Sequence, residues 1–135
     1  MSDIVLPWPT AQLSGHANGN WTPHAAVTAK HRLWARQGAQ ASNLPEIAPK
    51  GDIAIAVTFY PPDRRGDRVN FPNRIKPYWD GIADAMGVND NRFLPSYHFA
   101  EPVKNPRVVF SIRSSEARPI GEIIAPIVER VTPPP

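Results

Sequence analysis

Residues 62–93 read PDRRGDRVNFPNRIKPYWDGIADAMGVNDNRF, which gathers acids, amides and one lysine at the start of a short helix and returns a further acid just past its end. Asp67 and Asp90 bracket the helix in sequence. If the fold brings them together, they supply the hard oxygen ligands that Mg²⁺ or Mn²⁺ prefers, and a metal so held activates water and stabilises phosphoryl oxygens. Lys76 falls in the first helical turn, where unpaired N–H groups and the helix dipole already favour an anion such as a phosphate. The pattern therefore points to a metal site facing a phosphodiester. Each residue also has a plainer reading. Asp63 and Asp67 lie among Arg64, Arg65 and Arg68, as in many solvated mixed-charge turns. Lys76 and Asp80 stand four apart and can form a weak surface pair, while Val88 to Asn91 has the composition of an ordinary turn.

The elements that must position these residues follow from patterning. Asn73 is the preferred helix cap, with Pro72 and Pro77 near the start; Ile75, Tyr78, Trp79, Ile82, Ala85 and Met86 recur at helical spacing. The helix is expected over about 74–86, ended by Gly87 in a left-handed conformation. Upstream, residues 3–6 read as a short strand stopped by Pro7 and Pro9. A helix capped by Thr22, with Pro23 at its first position, is expected to run to about Gln40 and to carry Lys30, His31, Arg32 and Arg36. Residues 53–60 alternate Ile, Ile, Val and Phe with Ala, Ala, Thr and Tyr, a period-2 strand whose small residues could face a covering helix. Residues 93–99 and 107–113 read as two further strands, expected to pair as an antiparallel hairpin, with Pro95 favouring an edge. That order implies an α/β (α+β) domain, a small mixed sheet covered by helices. It is expected over residues 1–118, followed by a segment 119–135 with an Ile and Val helical stripe and a proline-rich tip.

Composition sets bounds. A chain of 135 residues with a formal charge of +3 is one domain with a modest core and a mild preference for polyanions. The absence of cysteine excludes disulfides and thiolate zinc sites. No apolar run is long enough to span a bilayer and the amino terminus is not signal-like, so no membrane partner is expected and a reducing cytoplasm is the expected setting. His16, His24, His31 and His98 lack metal-ligand spacing. Trp8, Trp21, Trp34 and Trp79 could stack on unpaired bases, although buried packing is their commoner use. Neither a phosphate-cradling glycine loop nor a Gly-x-Ser-x-Gly elbow is present.

The opening Leu6-Pro7-Trp8-Pro9, the Pro62-Asp63-Arg64-Arg65 loop with Asp67, the Asn73-x-x-Lys76-x-x-x-Asp80 helix start and the Gly87-x-x-Asp90 turn together resemble the RusA-type Holliday-junction resolvases. The matches keep the family's order from Leu6 to about Ile112. The resemblance implies a homodimer that binds branched DNA at four-way junctions and nicks opposing strands with Mg²⁺ (or Mn²⁺), in recombination and repair. Carried over residue by residue, it makes Asp67 and Asp90 metal ligands, has Asn70 help complete the metal shell, and gives Lys76 the charge on the scissile phosphate. Arg64, Arg65, Arg68 and Arg74, with Lys30, Arg32 and Arg36, are the candidate DNA contacts. The family's helix entry is Asp-x-Asp-Asn-x-x-Lys, and here the second acid is missing: its place falls on Pro72 or Asn70. An amide brings no charge to the metal, so a junction-binding protein that no longer cuts is the alternative.

Overall fold

The alternating residues 53–60 form one of the two inner strands of a four-stranded sheet. The computed structural model describes residues 2–10, 13 and 21–113. Its elements run β1 (Ser2–Pro7), α1 (Trp21–Ala41), β2 (Ile53–Tyr60), a 3-10 segment (Arg68–Ile75), α2 (Lys76–Met86), a short 3-10 turn (Asp90–Arg92), β3 (Phe93–Phe99) and β4 (Arg107–Ile112). The four strands make one mixed sheet in the order β1-β4-β2-β3. β4 is antiparallel to both β1 and β2, while β3 runs parallel to β2 with Ile53 opposite Phe93 and Phe59 opposite Phe99.

The expected hairpin of the last two strands does not form. The α2 crossover carries the chain back before β3 begins, so β3 joins β2 in parallel; β4 then inserts on the other side of β2. β3 is therefore an edge strand, as Pro95 suggested. The facing of β2 also differs from expectation. Ile53, Ile55, Val57 and Phe59 are fully buried, whereas Ala54, Ala56, Thr58 and Tyr60 remain partly exposed on the opposite face. Large apolar side chains release more free energy on burial, at roughly 25 cal/mol per Å², so they turn to the helices and leave the alanines outside.

The core lies between this face and the two helices. Ile4 and Leu6 of β1, Val108, Phe110 and Ile112 of β4, Ala35 and Ala39 of α1, and Tyr78, Trp79 and Ile82 of α2 close around the β2 side chains. Arg32 of α1 makes a bidentate ion pair with Asp84 of α2 at 2.7 and 2.9 Å. His31, 4% exposed, sits between the rings of Trp34 and Tyr78, and Tyr78 donates its hydroxyl to the Pro7 carbonyl at 2.7 Å. α1 begins one residue before the expected Thr22 cap. The stripe 120–131 lies outside the described residues.

Candidate functional site

β2 delivers the chain at Tyr60 into the charged loop, which its own side chains organise. Asp63 accepts from the Arg65 N–H at 2.9 Å and from the Arg65 guanidinium at 2.9 and 3.2 Å, an Asx turn closed by an ion pair. The Arg65 backbone N–H, then its guanidinium, hold the Asp63 carboxyl below the usual carboxylate range. Arg64 pairs with Glu101. Gly66 lies flat on the ring of buried Phe71: a Cβ there would fall 2.5 Å from Cε1 and Cζ. Trp8 and Phe99 also meet Phe71, so an aromatic cluster anchors the loop to the sheet.

Asp67 acts as a cap. Its Oδ1 accepts from the Val69 N–H at 3.0 Å and opens the 3-10 segment, and its Oδ2 accepts from the Asn70 side-chain amide at 3.1 Å. The cap expected at Asn73 is thus supplied six residues earlier. Pro72 is accommodated within the 3-10 run, and the chain passes from it into α2 without a break. Ile75 stands at the α2 cap position with no side-chain bond, and Pro77 occupies the first turn. Gly87 ends α2 at φ 67°, as the sequence predicts.

Lys76, the first residue of α2, is the meeting point of the site. Its Nζ donates to Asp80 Oδ1 at 3.0 Å and to Asp90 Oδ2 at 2.5 Å. Asp90 is placed by the turn after Gly87, where the Asn89 side chain caps the Asn91 N–H at 3.0 Å. Arg92 braces that turn by donating to the Gly51 and Ala48 carbonyls at 2.9 and 2.6 Å. Hydrogen bonds to Asp90 first and Asp80 second hold the Lys76 ammonium above its ordinary pKa, and Lys76 in turn holds Asp90 below the carboxylate range. Beside this clasp a cavity of about 230 Å³ is lined by Lys76, Trp79, Asp90, Phe93 and Pro95.

The expected site residues therefore form two sets. Asp90 and Lys76 come together and recruit Asp80, which sequence reading placed only in a weak pair with Lys76. Asp67 and Asn70 bond to each other. No group of three or more His, Cys, Asp and Glu side chains is placed to hold a metal ion among the described residues. Two carboxylates that converge on one ammonium do fit a Mg²⁺ held by one or two carboxylates together with substrate phosphate oxygens. Asp80 and Asp90 are the residues that would hold it.

Among the candidate DNA contacts, Arg32 is committed to Asp84, Arg65 to Asp63 and Arg64 to Glu101. Lys30 lies 5.3 Å over the Trp34 ring and Arg74 5.4 Å over the Phe71 ring. Arg36 stands within electrostatic reach of Asp84, and Arg68 is exposed on the first turn of the 3-10 segment.

No family model matches the sequence. The chain is similar to an uncharacterized protein of Xylella fastidiosa (strain Temecula1), 38% identical over 100 residues that make up 70% of this chain and 63% of that protein. The chain thus spans less than two thirds of that relative's length. No helix among the described residues is long and apolar enough to cross a membrane.

Proposed function

We propose that the chain is a homodimeric, metal-dependent endodeoxyribonuclease of the RusA type that resolves four-way DNA junctions. One observation carries the reading: Asp80 of the helix motif and Asp90 of the turn motif after it converge on the Lys76 ammonium. A bound Mg²⁺ would supply a polarised water and neutralise phosphoryl charge. Asp80 and Asp90 would hold the cation, and doing so would free Lys76 from its carboxylates. Its ammonium would then be available to the scissile phosphate, to stabilise the charge that develops there. Asp67 shapes the entry to α2 through its cap, with Asn70 bonded to it. Two equivalent sites in a dimer match the two-fold symmetry of a four-way junction.

The test is cleavage of a labelled mobile four-way junction beside a linear duplex, with Mg²⁺, with Mn²⁺ and with chelator, while binding is followed by gel shift. Paired metal-dependent nicks confined to the junction are expected. Asp90→Asn should abolish cleavage and preserve junction binding, because it removes a metal ligand and also a charge that repels phosphate; lost binding would count against Asp90 as a ligand.

A second reading, a junction binder that no longer cuts, is favoured by the commitment of Asp67 to its cap and by the missing second acid of the helix entry. Junction binding without nicks in either metal supports that reading. Equal treatment of junction and linear duplex would remove both.

A further inference from the structure

We propose that a cavity between the charged loop, Trp8 and Arg74 is a subsite for one unstacked nucleotide of the DNA strand, next to the scissile phosphate; this rests on the nuclease reading above. The cavity, of about 330 Å³, is lined by Trp8, Pro61, Pro62, Asp63, Arg65, Gly66, Phe71 and Arg74. Its charged lining comprises two guanidiniums and one carboxylate, and the carboxylate of Asp63 is already paired with Arg65. Arg74 is therefore the cation of this lining whose charge no acid of the lining offsets.

The Arg74 Nε is buried and has no hydrogen-bond acceptor among the described residues. A buried donor left unpaired is costly, and Arg74 lines the cavity, so a turn of its guanidinium toward that space would give the Nε–H an oxyanion acceptor. The rest of the wall is flat and apolar. Trp8 is partly buried and stands edge-on to Phe71 with ring centroids 5.0 Å apart, while Pro61 and Pro62 complete the surface. A guanidinium that prefers a phosphate, beside an indole and two prolines that prefer a flat ring, is the complement of a nucleotide. Gly66 lets this wall of the cavity pack closely on Phe71, because a Cβ there would collide with the ring.

Position supports the assignment. Arg74 precedes Lys76 by two residues, so their Cα atoms lie within about 7 Å. A separation of this order spans adjacent nucleotides of one DNA strand. A strand whose phosphate meets Lys76 can thus place a neighbouring nucleotide against Trp8 and Arg74, and a branched junction supplies bases free to leave the stack.

The experiment is a ¹H–¹⁵N NMR titration of the full chain with dTMP, with thymidine and with inorganic phosphate, following the Trp8 indole N–H (assigned by its loss in Trp8→Phe) and the Arg74 Nε–H. Saturable shifts of both with dTMP are expected. Arg74→Gln and Arg74→Lys should each weaken dTMP roughly tenfold and leave thymidine unchanged, since each removes the Nε–H while one keeps the charge. An unmoved Trp8 indole, or wild-type dTMP affinity retained in both variants, would overturn the subsite. So would a response to phosphate alone with none to thymidine, which marks an adventitious anion only. Junction cleavage is read on the same preparation. Nucleotide binding without junction binding or cutting keeps the subsite and removes the resolvase reading; cleavage with a silent Trp8 removes the subsite and keeps the resolvase.

Discussion

Gly81→Ala should destabilise the protein although alanine is the better helix former. Gly81 lies inside α2 where it crosses α1, and a Cβ there would fall 2.2 Å from the Arg32 carbonyl oxygen, 2.8 Å from the Ala35 Cβ and 2.9 Å from the Arg36 nitrogen. Ordinary carbon contacts to oxygen lie near 3.3 Å or more, so the helices must part by about 1 Å. Two of the three atoms are backbone, and no rotamer change relieves them. The Arg32–Asp84 pair and the fully buried Ala35 and Ala39 resist the separation. Overpacking of this kind costs about 1–3 kcal/mol and can cost more, against about 1 kcal/mol gained in helix propensity. With the contact this close, the net loss should be about 2 kcal/mol, or roughly 8 °C in Tm for a domain of this size. Urea and thermal unfolding read it directly. Gly87→Ala is the internal comparison: nothing lies within 4 Å of its Cβ, so only the left-handed conformation at φ 67° is penalised, at about 1 kcal/mol. An unchanged or raised Tm for Gly81→Ala would refute the close crossing. Because α2 carries Lys76 and Asp80, a 1 Å shift should also lower any junction cleavage by more than stability alone explains.

Other perturbations test separate parts of the structure. Burial, opposed by the bond to the Val27 carbonyl and aided by Lys30, holds the His31 pKa below its ordinary value. The unfolded chain thus binds the extra proton first: stability is fully present above about pH 6.5 and falls as pH drops through that value toward the folded pKa. Unfolding free energies of wild type and His31→Gln between pH 5 and 8 should show this slope in the wild type alone. Lys76→Met should return the Asp90 carboxyl toward its ordinary pKa, followed by carboxyl NMR, and change stability by less than about 1 kcal/mol because the pair is solvent-exposed. Phe71→Ala removes the ring under Gly66 and against Trp8 and should cost about 3–5 kcal/mol in chemical unfolding, with a blue or red shift of Trp8 fluorescence.

Much of this architecture is legible in the chain because its signals are local. Residues 53–60 alternate cleanly and form β2 with those bounds, and Gly87 stops α2 where the helical stripe ends. Strand partners are not local. The pattern of residues 93–99 and 107–113 says that each is extended, yet nothing in it says that β2 will lie between them. The buried face of β2 is not legible in the sequence, because both its faces contain apolar residues and only the volume under the helices separates Ile and Phe from Ala. The cap was ambiguous because Asp67, Asn70 and Asn73 are all competent. Pro72 lacks an N–H but tolerates the tighter turns of a 3-10 run, so the helical path begins at Asp67 and Asn73 is left inside it.

The site was legible in its residues and not in their partners. Sequence order pairs Asp67 with Asp90 as brackets of one helix, but a capping carboxylate whose two oxygens accept from Val69 and Asn70 has its acceptor capacity directed at its own turn. Asp80 had the opposite fate. At i,i+4 from Lys76 it promised only a weak pair, since this order opposes the helix dipole. The left-handed Gly87 then reverses the chain and sets Asp90 against the same ammonium, which turns that weak pair into a three-residue clasp. The useful signal was the lysine rather than the acids: one cation at the first turn, a carboxylate one turn along, and a second carboxylate just past the glycine that ends the helix. For a metal the consequence is specific. To hold Mg²⁺, Asp80 and Asp90 would have to exchange the Lys76 ammonium for it, so on the proposed reading Asp80→Asn should weaken Mg²⁺ binding as much as Asp90→Asn does, and Asp67→Asn, which keeps an oxygen able to accept from the Val69 N–H, should weaken it least. Calorimetric titration of the three variants orders them, and Asp67→Asn ranking with Asp90→Asn would restore the pairing that sequence order suggests.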